Sequence, residues 1–415
     1  MIRQYDLIAP CHFGMESVLK NEIYDIGYEI TEVEDGRVTF AGDAEAIVRA
    51  NICLRTAERI LLKVGSFKAT TFDELYEGTK ALPWEEYLPR DARFWVTKAA
   101  SVKSKLFSPS DIQSVMKKAM VDRMHVAYGI SNFPETGSSY PIRVFLKKDI
   151  VTVGIDTTGE SLHKRGYRKA SVKAPIAENL AAGLIMLTPW QAGRILVDPF
   201  CGSGTFPIEA AMIAANIAPG LKRSFTSMDW TNLIPVRLWN DVREEAQDTI
   251  DLSVQTDLQG YDIDPKAISA ARENAKAAGV DSLIHFQVRP VSALSHPKKY
   301  GFIITNPPYG QRLEDAGHGG ELFPTGAHPK AERLSRSAEE EAVSAEELAG
   351  IYQELGERFK AMNSWSMYLI TAYPEAEKML GLKAAKNRKI YNGMIKTYFY
   401  MFPGPKPPAK RGGQK

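Results

Sequence analysis

The stretch LVDPFCGSGTF, residues 196–206, runs from an apolar strand through an acid and a glycine-rich turn into the start of a helix. An apolar run that ends at Asp198 and passes by way of a Gly-x-Gly turn into "TFPIEAAMIAANIA" reads as a βα unit. Further units follow: "DLQGYDIDP" with the helix "KAISAARENAKAAGV", then "LIHFQV", then "YGFIITNPPYG". Strands and helices alternating at this spacing predict an α/β fold with a parallel, doubly wound, Rossmann-like sheet. Its last strands, "SWSMYLITAYP", "NRKIYNG" and "MIKTYFYMF", are joined by a short final connection, so the sheet is expected to close with an antiparallel hairpin. An amphipathic helix from about Pro175 precedes the first of these strands.

Upstream, the order strand, helix, hairpin, helix, strand over residues 1–66 predicts a small ferredoxin-like domain. Its hairpin turns at Asp35-Gly36, and Asp43 is a candidate N-cap. Residues 67–157 form a second α/β unit. It has two helices, the longer with a cap signal near Ser110, the strand "RFWVTKAASV", and the stranded stretch "YPIRVFLKKDIVTVGIDTT" with a tight turn at Lys148-Asp149. No Ser- or Pro-rich linker separates the two units, so they are expected to pack together. A basic linker (158–173) leads to the doubly wound domain (174–403). That domain contains a Gly-, Glu- and Ala-rich loop over 312–346, and a basic tail (404–415), expected to be disordered, follows it.

The chain has 415 residues, with 52 Lys and Arg against 50 Asp and Glu, a balance that makes any basic footprint local. The cysteines Cys11, Cys53 and Cys201 are odd in number and far apart, which excludes a disulfide framework or zinc cluster and fits a reducing cytoplasm. No apolar run approaches membrane-spanning length, and no signal segment is visible. The seven histidines show no metal-site spacing, so no metal is expected; His318 and His328 share only a loop.

Three constellations carry the chemistry, all at the carboxyl ends of strands, where such sheets bind ligands. The turn after Asp198 is neither G-x-G-x-x-G nor a Walker loop. Gly202 and Gly204 allow close backbone approach, and an acid there suits an amine-bearing ligand such as the amino-acid end of S-adenosylmethionine. The turn read alone is equally a tight βα connection. Asp262 ends the next strand and can accept both hydroxyls of a ribose, with Ile263 as an apolar flank for an adenine; Asp264 reads first as a helix cap. In "NPPY", Asn306 Oδ1 and the Pro307 carbonyl can accept the two N–H groups of an exocyclic amine. Pro308 stiffens the turn and Tyr309 supplies a stacking face, a positioning catalysis that requires an unpaired or flipped base. Cys201 has no base beside it in sequence, and amine methylation needs no covalent intermediate.

"DPFCGSGT", "YDID" and "NPPYG", in this order and spacing, resemble the class I S-adenosylmethionine-dependent amino-methyltransferases. "LHKRGYRKASVKAPI", "NIAPG" and "NRKIYNG" narrow the resemblance to RNA methyltransferases with a ferredoxin-like and THUMP module, within the large-subunit ribosomal RNA guanine-N2 group. It spans about residues 3–402. The resemblance implies that Asp198, Pro199, Gly202, Gly204 and Thr205 line the methionine end of the cofactor. Pro175 and Glu178 would cover it, and Asn306 to Tyr309 would hold a guanine of 23S ribosomal RNA. N-P-P-Y alone also occurs in adenine-N6 DNA methylases, and a non-catalytic RNA-binding assembly factor is a further alternative. Two features depart from the family. "FQVRPVSALSHPKKYG" has no acid for the adenine amine, leaving Ser292 or backbone carbonyls, and the loop after Arg312 is longer than the family's link.

RNA contact is expected from the cluster Lys164, Arg165, Arg168, Lys169 and Lys173, where basic residues surround the aromatic ring of Tyr167. It is also expected from Lys98, Lys103 and Lys105 before the long helix of the second unit, and from Arg388 and Asn392 near the end. A solvated linker and a plain β-turn are the bland readings of the first and last groups. Oligomeric state is not legible.

Overall fold

The computed structural model describes residues 3–130, 132–170, 175–309, 344–393 and 395–408. The first half comprises β1 (Tyr5–Pro10), α1 (Glu16–Asp25), β2 (Ile30–Glu34), β3 (Arg37–Gly42), α2 (Ala44–Cys53) and β4 (Leu61–Lys68), followed by α3 (Phe72–Ala81), β5 (Arg93–Val102), α4 (Pro109–Tyr128), β6 (Ser139–Lys147) and β7 (Ile150–Asp156). These strands form one seven-stranded sheet in the order β2-β3-β1-β4-β7-β6-β5. Its first four strands have the ferredoxin-like arrangement. The second unit continues the same sheet through antiparallel pairing of β4 with β7, from Leu61↔Asp156 to Lys68↔Ile150. The boundary expected at 66/67 therefore cuts β4, and the two units share backbone hydrogen bonds as well as side-chain contacts. The turn at Lys148 and Asp149 has φ of 52 and 63 at its two residues, the left-handed pair that a tight hairpin needs. Asp43 caps α2 by accepting the Glu45 and Ala46 N–H groups. The cap of α4 falls at Ser108, ahead of Pro109, and not at Ser110.

The second half contains α5 (Glu178–Met186), β8 (Ile195–Asp198), α6 (Thr205–Ala214), α7 (Val236–Asp248), β9 (Asp257–Asp262), α8 (Pro265–Ala278), β10 (Ile284–Val288) and β11 (Phe302–Thr305). It ends with α9 (Ala345–Ala361), β12 (Ser366–Thr371), α10 (Ala376–Leu380), β13 (Lys386–Asn392) and β14 (Ile395–Phe402). The order is β10-β9-β8-β11-β12-β14-β13, parallel up to β12 and then antiparallel. Every residue of β8 and β11 is buried, as a parallel strand covered on both faces requires. The chain leaves β8 towards β9 and β10 and returns on the other side at β11, which makes the β8/β11 boundary the topological switch point. α5 begins at Glu178, three residues after the expected Pro175.

α9 begins earlier than the expected end of the 312–346 loop. Ser344 accepts the Glu347 N–H while the Glu347 carboxylate accepts the Ser344 N–H, a full capping box. The rest of that loop, with His318 and His328, lies outside the described residues, as do Lys173 and residues 409–415. The start of the tail is packed: the Gly404 N–H donates to Ser366 Oγ at 2.9 Å.

The segment between α6 and β9, left unassigned from the sequence, joins the halves. A one-turn 3-10 helix (Thr226–Asp229) leads into Trp230, which is fully buried and stacks on Tyr140 of β6 with ring centroids 4.7 Å apart. The Trp230 indole N–H donates to Ser139 O and the Tyr140 hydroxyl to Asn232 Oδ1. From α7, Glu245 accepts the Arg49 Nη1 N–H of α2 at 2.9 Å. One apolar core consequently runs from Leu7 and Phe40 under the first sheet to Phe206 and Phe399 under the second. Among the described residues, no helix is long and apolar enough to cross a membrane.

Candidate active site

The site is built at the switch point. β8 ends at Asp198, which is 1% exposed. Asp198 Oδ1 accepts the Phe200 N–H at 3.1 Å and the Thr305 hydroxyl at 2.6 Å. Burial pushes its carboxyl up to about 7 against the pull of these two donors, and the nearby Asp262 charge adds to the rise. A carboxyl so poorly solvated is a receptive partner for a ligand ammonium.

Beyond Pro199 the chain turns through Gly202 (φ 52) and Gly204 (φ 86) into α6, which opens at Thr205. A Cβ on Gly204 would meet Ala271 Cβ and Phe286 Cζ at 3.0 Å, and one on Gly260 would meet Phe286 Cδ1 at 2.6 Å. Small residues at both places let the turn lie against β9. There Asp262 Oδ2 accepts the Gly202 N–H at 2.9 Å, and Oδ1 accepts the Asp264 N–H at 2.9 Å. Each oxygen keeps a lone pair for a sugar hydroxyl. Asp264 is the cap of α8, accepting the Lys266 N–H at 2.8 Å. Ile263 stands 74% exposed beside Asp262, free to flank a ring. Ser292, on the one-turn 3-10 helix Val291–Ala293, is half-buried. Cys201 is buried, and burial together with the Asp198 and Asp262 charges pushes its thiol far above the ordinary range, so it is no nucleophile.

Asn306 follows directly on β11. Its Oδ1 is buried and has no hydrogen-bond partner among the described residues, an acceptor available to a donor. Pro307 is buried; Pro308 and Tyr309 are half-buried. The Tyr309 hydroxyl accepts from Asn392 Nδ2 at 3.4 Å, so the end of β13 reaches the aromatic ring. Asn392 thus joins the site. Arg388, four residues earlier, turns to the Gly14 carbonyl of the N-terminal half at 3.2 Å.

Two expected RNA contacts are overturned. Arg165 and Tyr167 are only 4% exposed. Arg165 lies 3.5 Å from Glu209 of α6 and donates to the Leu162 carbonyl, while the Tyr167 hydroxyl donates to Glu209 Oε1 at 3.0 Å. Burial raises the Glu209 carboxyl, with Arg165 as the main opposing influence. Arg168 is also turned inward. It donates to Glu178 Oε1 and the Ile176 carbonyl at 2.9 Å, and to Thr205 Oγ1 at 3.2 Å. Glu178, read as part of the cofactor's cover beside the half-buried Pro175, is therefore engaged by Arg168. The basic segment ties the linker to the cofactor turn; of the expected cluster, Lys164 and Lys169 are exposed.

Lys98, Lys103 and Lys105 are exposed. Two residues that the sequence reading missed join them. Phe107 is 76% exposed, and Lys148 is brought alongside by the Lys148 N–H bond to Val102 O and the Lys105 N–H bond to Asp149 Oδ1. The signal available was an unpaired aromatic in a lysine-rich loop. Among the described residues, no group of acids, histidines and cysteines has metal-site geometry.

Fold and site together define a class I methyltransferase joined to a THUMP module. Three family models match successive parts of the chain: an RlmL ferredoxin-like domain at 6–61, a THUMP domain at 69–156 and an RMKL-like methyltransferase domain at 165–348. Bacillus subtilis (strain 168) YpsC, a protein named provisionally as an RNA methyltransferase, is 41% identical over 97% of this chain and 96% of its own. The ribosomal RNA large subunit methyltransferase K/L of Cellvibrio japonicus (strain Ueda107) is 33% identical over 97% of this chain, which spans about half (51%) of that longer protein. A crystal structure of SMU.472, described as a methyltransferase complexed with S-adenosylhomocysteine, matches with a TM-score of 0.85 at 38% identity, covering 98% of this chain and 100% of that one. A Listeria monocytogenes structure, described by prediction as an adenine-N6-specific DNA methylase, matches with a TM-score of 0.84 at 42% identity, covering 97% of both chains. The chain belongs to the THUMP-domain RNA methyltransferases of class I, whose cofactor is S-adenosylmethionine.

Proposed function

We propose that this protein methylates the exocyclic N2 amine of a guanine in large-subunit ribosomal RNA, with S-adenosylmethionine as donor. The observation that carries the reading is Asn306 Oδ1, a buried acceptor without a partner among the described residues, one residue from Thr305 and its bond to Asp198. Asp198 and the Gly202–Gly204 turn would hold the methionine end, and Asp262 the ribose. The cofactor supplies a methyl group already activated by a sulfonium. What this chain must supply is an amine whose lone pair points at that carbon, not into the ring. Asn306 Oδ1 and the Pro307 carbonyl would accept its two N–H groups, while Tyr309, tethered by Asn392, would stack on the extruded base.

Guanine in RNA is favoured over adenine in DNA because a THUMP module shares its sheet with the ferredoxin-like unit and its core with the methyltransferase half, whereas a DNA methylase normally carries a sequence-reading domain. The Listeria description favours the adenine reading, and the missing acid before Asn306 favours a non-catalytic assembly factor. Asn306→Ala tests the assignment. We expect turnover to fall by about 100- to 1,000-fold, the cost of one positioned group, with cofactor binding by calorimetry unchanged. Full activity in the variant refutes the role, and wild-type protein that binds no cofactor at millimolar concentration favours the assembly factor.

A further inference from the structure

Thr305 is fully buried at the last position of β11. Backbone pairing of β11 with β8 covers Phe302↔Leu196 and Ile303↔Val197. Past that register the strands part, one into the glycine turn and the other into Asn-Pro-Pro-Tyr. The Thr305 hydroxyl bridges the gap by donating to Asp198 Oδ1 at 2.6 Å. We propose that Thr305 is a positioning residue that couples occupancy of the amine site at Asp198 to the placement of Asn306. This rests on the roles given above to Asp198 and Asn306.

The coupling follows from the state of Asp198. With its carboxyl near 7, the empty site at neutral pH holds a mixture of acid and carboxylate. The ionisable groups that face it are Asp262, whose charge opposes ionisation, and the Cys201 thiol, kept neutral by burial. An ammonium at Asp198 fixes the carboxylate. A carboxylate accepts the Thr305 hydroxyl more strongly than an acid does, because the bond becomes charge-assisted. One peptide bond separates Thr305 from Asn306, so a filled cofactor site holds the acceptor amide in place before the base arrives.

The test compares Thr305→Val, which keeps the shape and removes the donor, with Thr305→Ser, which keeps the donor. S-adenosylhomocysteine, which carries the same amino-acid end, is titrated by calorimetry from about pH 6 to about pH 8, a range that spans the Asp198 transition and leaves ordinary carboxylates ionised. For wild type and Thr305→Ser, affinity should rise with pH through about 7 and then level off. For Thr305→Val the midpoint should move up, because a donor that favours the carboxylate is gone. With ribosomal RNA from cells lacking the protein, kcat of Thr305→Val should fall by about tenfold or more at unchanged RNA KM. A Thr305→Val midpoint and kcat equal to those of Thr305→Ser overturn the coupling. Should the valine variant not fold, the wild type decides: affinity flat across this range overturns the proposal. If Asn306→Ala keeps full turnover, the underlying assignment has failed; if only the Thr305 comparison fails, the coupling alone is lost.

Discussion

Asp198, Asp262 and Asn306 are positioned by the ends of three neighbouring strands; the ends at Asp198 and Asn306 were readable because a short apolar run stops at a polar residue, and the end at Asp262 because the cap and proline of the next helix follow it. What the residues do once there was less legible. Asp198 sets a pH dependence of its own. Its carboxyl is raised in the folded chain, so the folded state binds a proton that the unfolded state has released between about 4 and 7. Stability without ligand should therefore fall as pH rises through that window, while cofactor affinity rises. A urea-denaturation series with and without S-adenosylhomocysteine checks both signs, and ligand stabilisation that is flat with pH would contradict them. At Gly204, alanine must adopt φ 86 and press on Ala271 and Phe286. Gly204→Ala should cost about 1–3 kcal/mol and weaken cofactor binding; a variant with wild-type midpoint and affinity would show the close approach to be unimportant.

At the scale of elements, the linker shows where a sequence misleads. "LHKRGYRKASVK" has the composition of an RNA-facing loop. Nothing in it discloses that Glu209 on α6 and Glu178 on α5 wait for Arg165 and Arg168. Basic residues with an aromatic look the same whether phosphates or buried carboxylates receive them, and the distinction needs the fold. Arg165→Met leaves Glu209 buried without its ion pair, and we expect a loss of about 3–5 kcal/mol in urea denaturation. Arg165→Met with Glu209→Leu should recover most of it. A single variant as stable as wild type would place the two groups in water. The 3-10 turn escaped the sequence reading for a related reason. Trp230 is organised by the other half of the molecule, whereas α7 carries a clear helical period, with Trp239, Val242 and Ala246 buried on one face, and was legible but passed over. β5, β7, the hairpin β13–β14 and the capped helix α2 were legible because their signals are local: alternation, a two-residue turn and an Asp at the cap.

For the whole molecule, the continuous first sheet and the shared core argue that the RNA-binding and catalytic halves unfold together. Trp230→Ala removes a stacked, fully buried ring between them and should cost about 3–5 kcal/mol. Calorimetry should then show the single transition broaden or split, whereas an unchanged single transition would mean that the halves are held elsewhere. The exposed lysines lie on the first sheet's side of the molecule, at the β5–α4 connection. Replacing Lys103 and Lys105 by alanine should lower RNA affinity and reduce its salt slope by about 1.4–1.8, two phosphate contacts' worth; an unaltered slope would move the RNA face elsewhere. The base itself is what the linear motif leaves open: on our proposal N-P-P-Y holds an amine on a planar ring or amide, and only the modules before it point to guanine. Nucleoside mass spectrometry of large-subunit ribosomal RNA from cells with and without this protein decides it. The account predicts a loss of N2-methylguanosine that is restored by the wild-type chain and not by Asn306→Ala, and unchanged N2-methylguanosine alongside a change in another methylated nucleoside would contradict it.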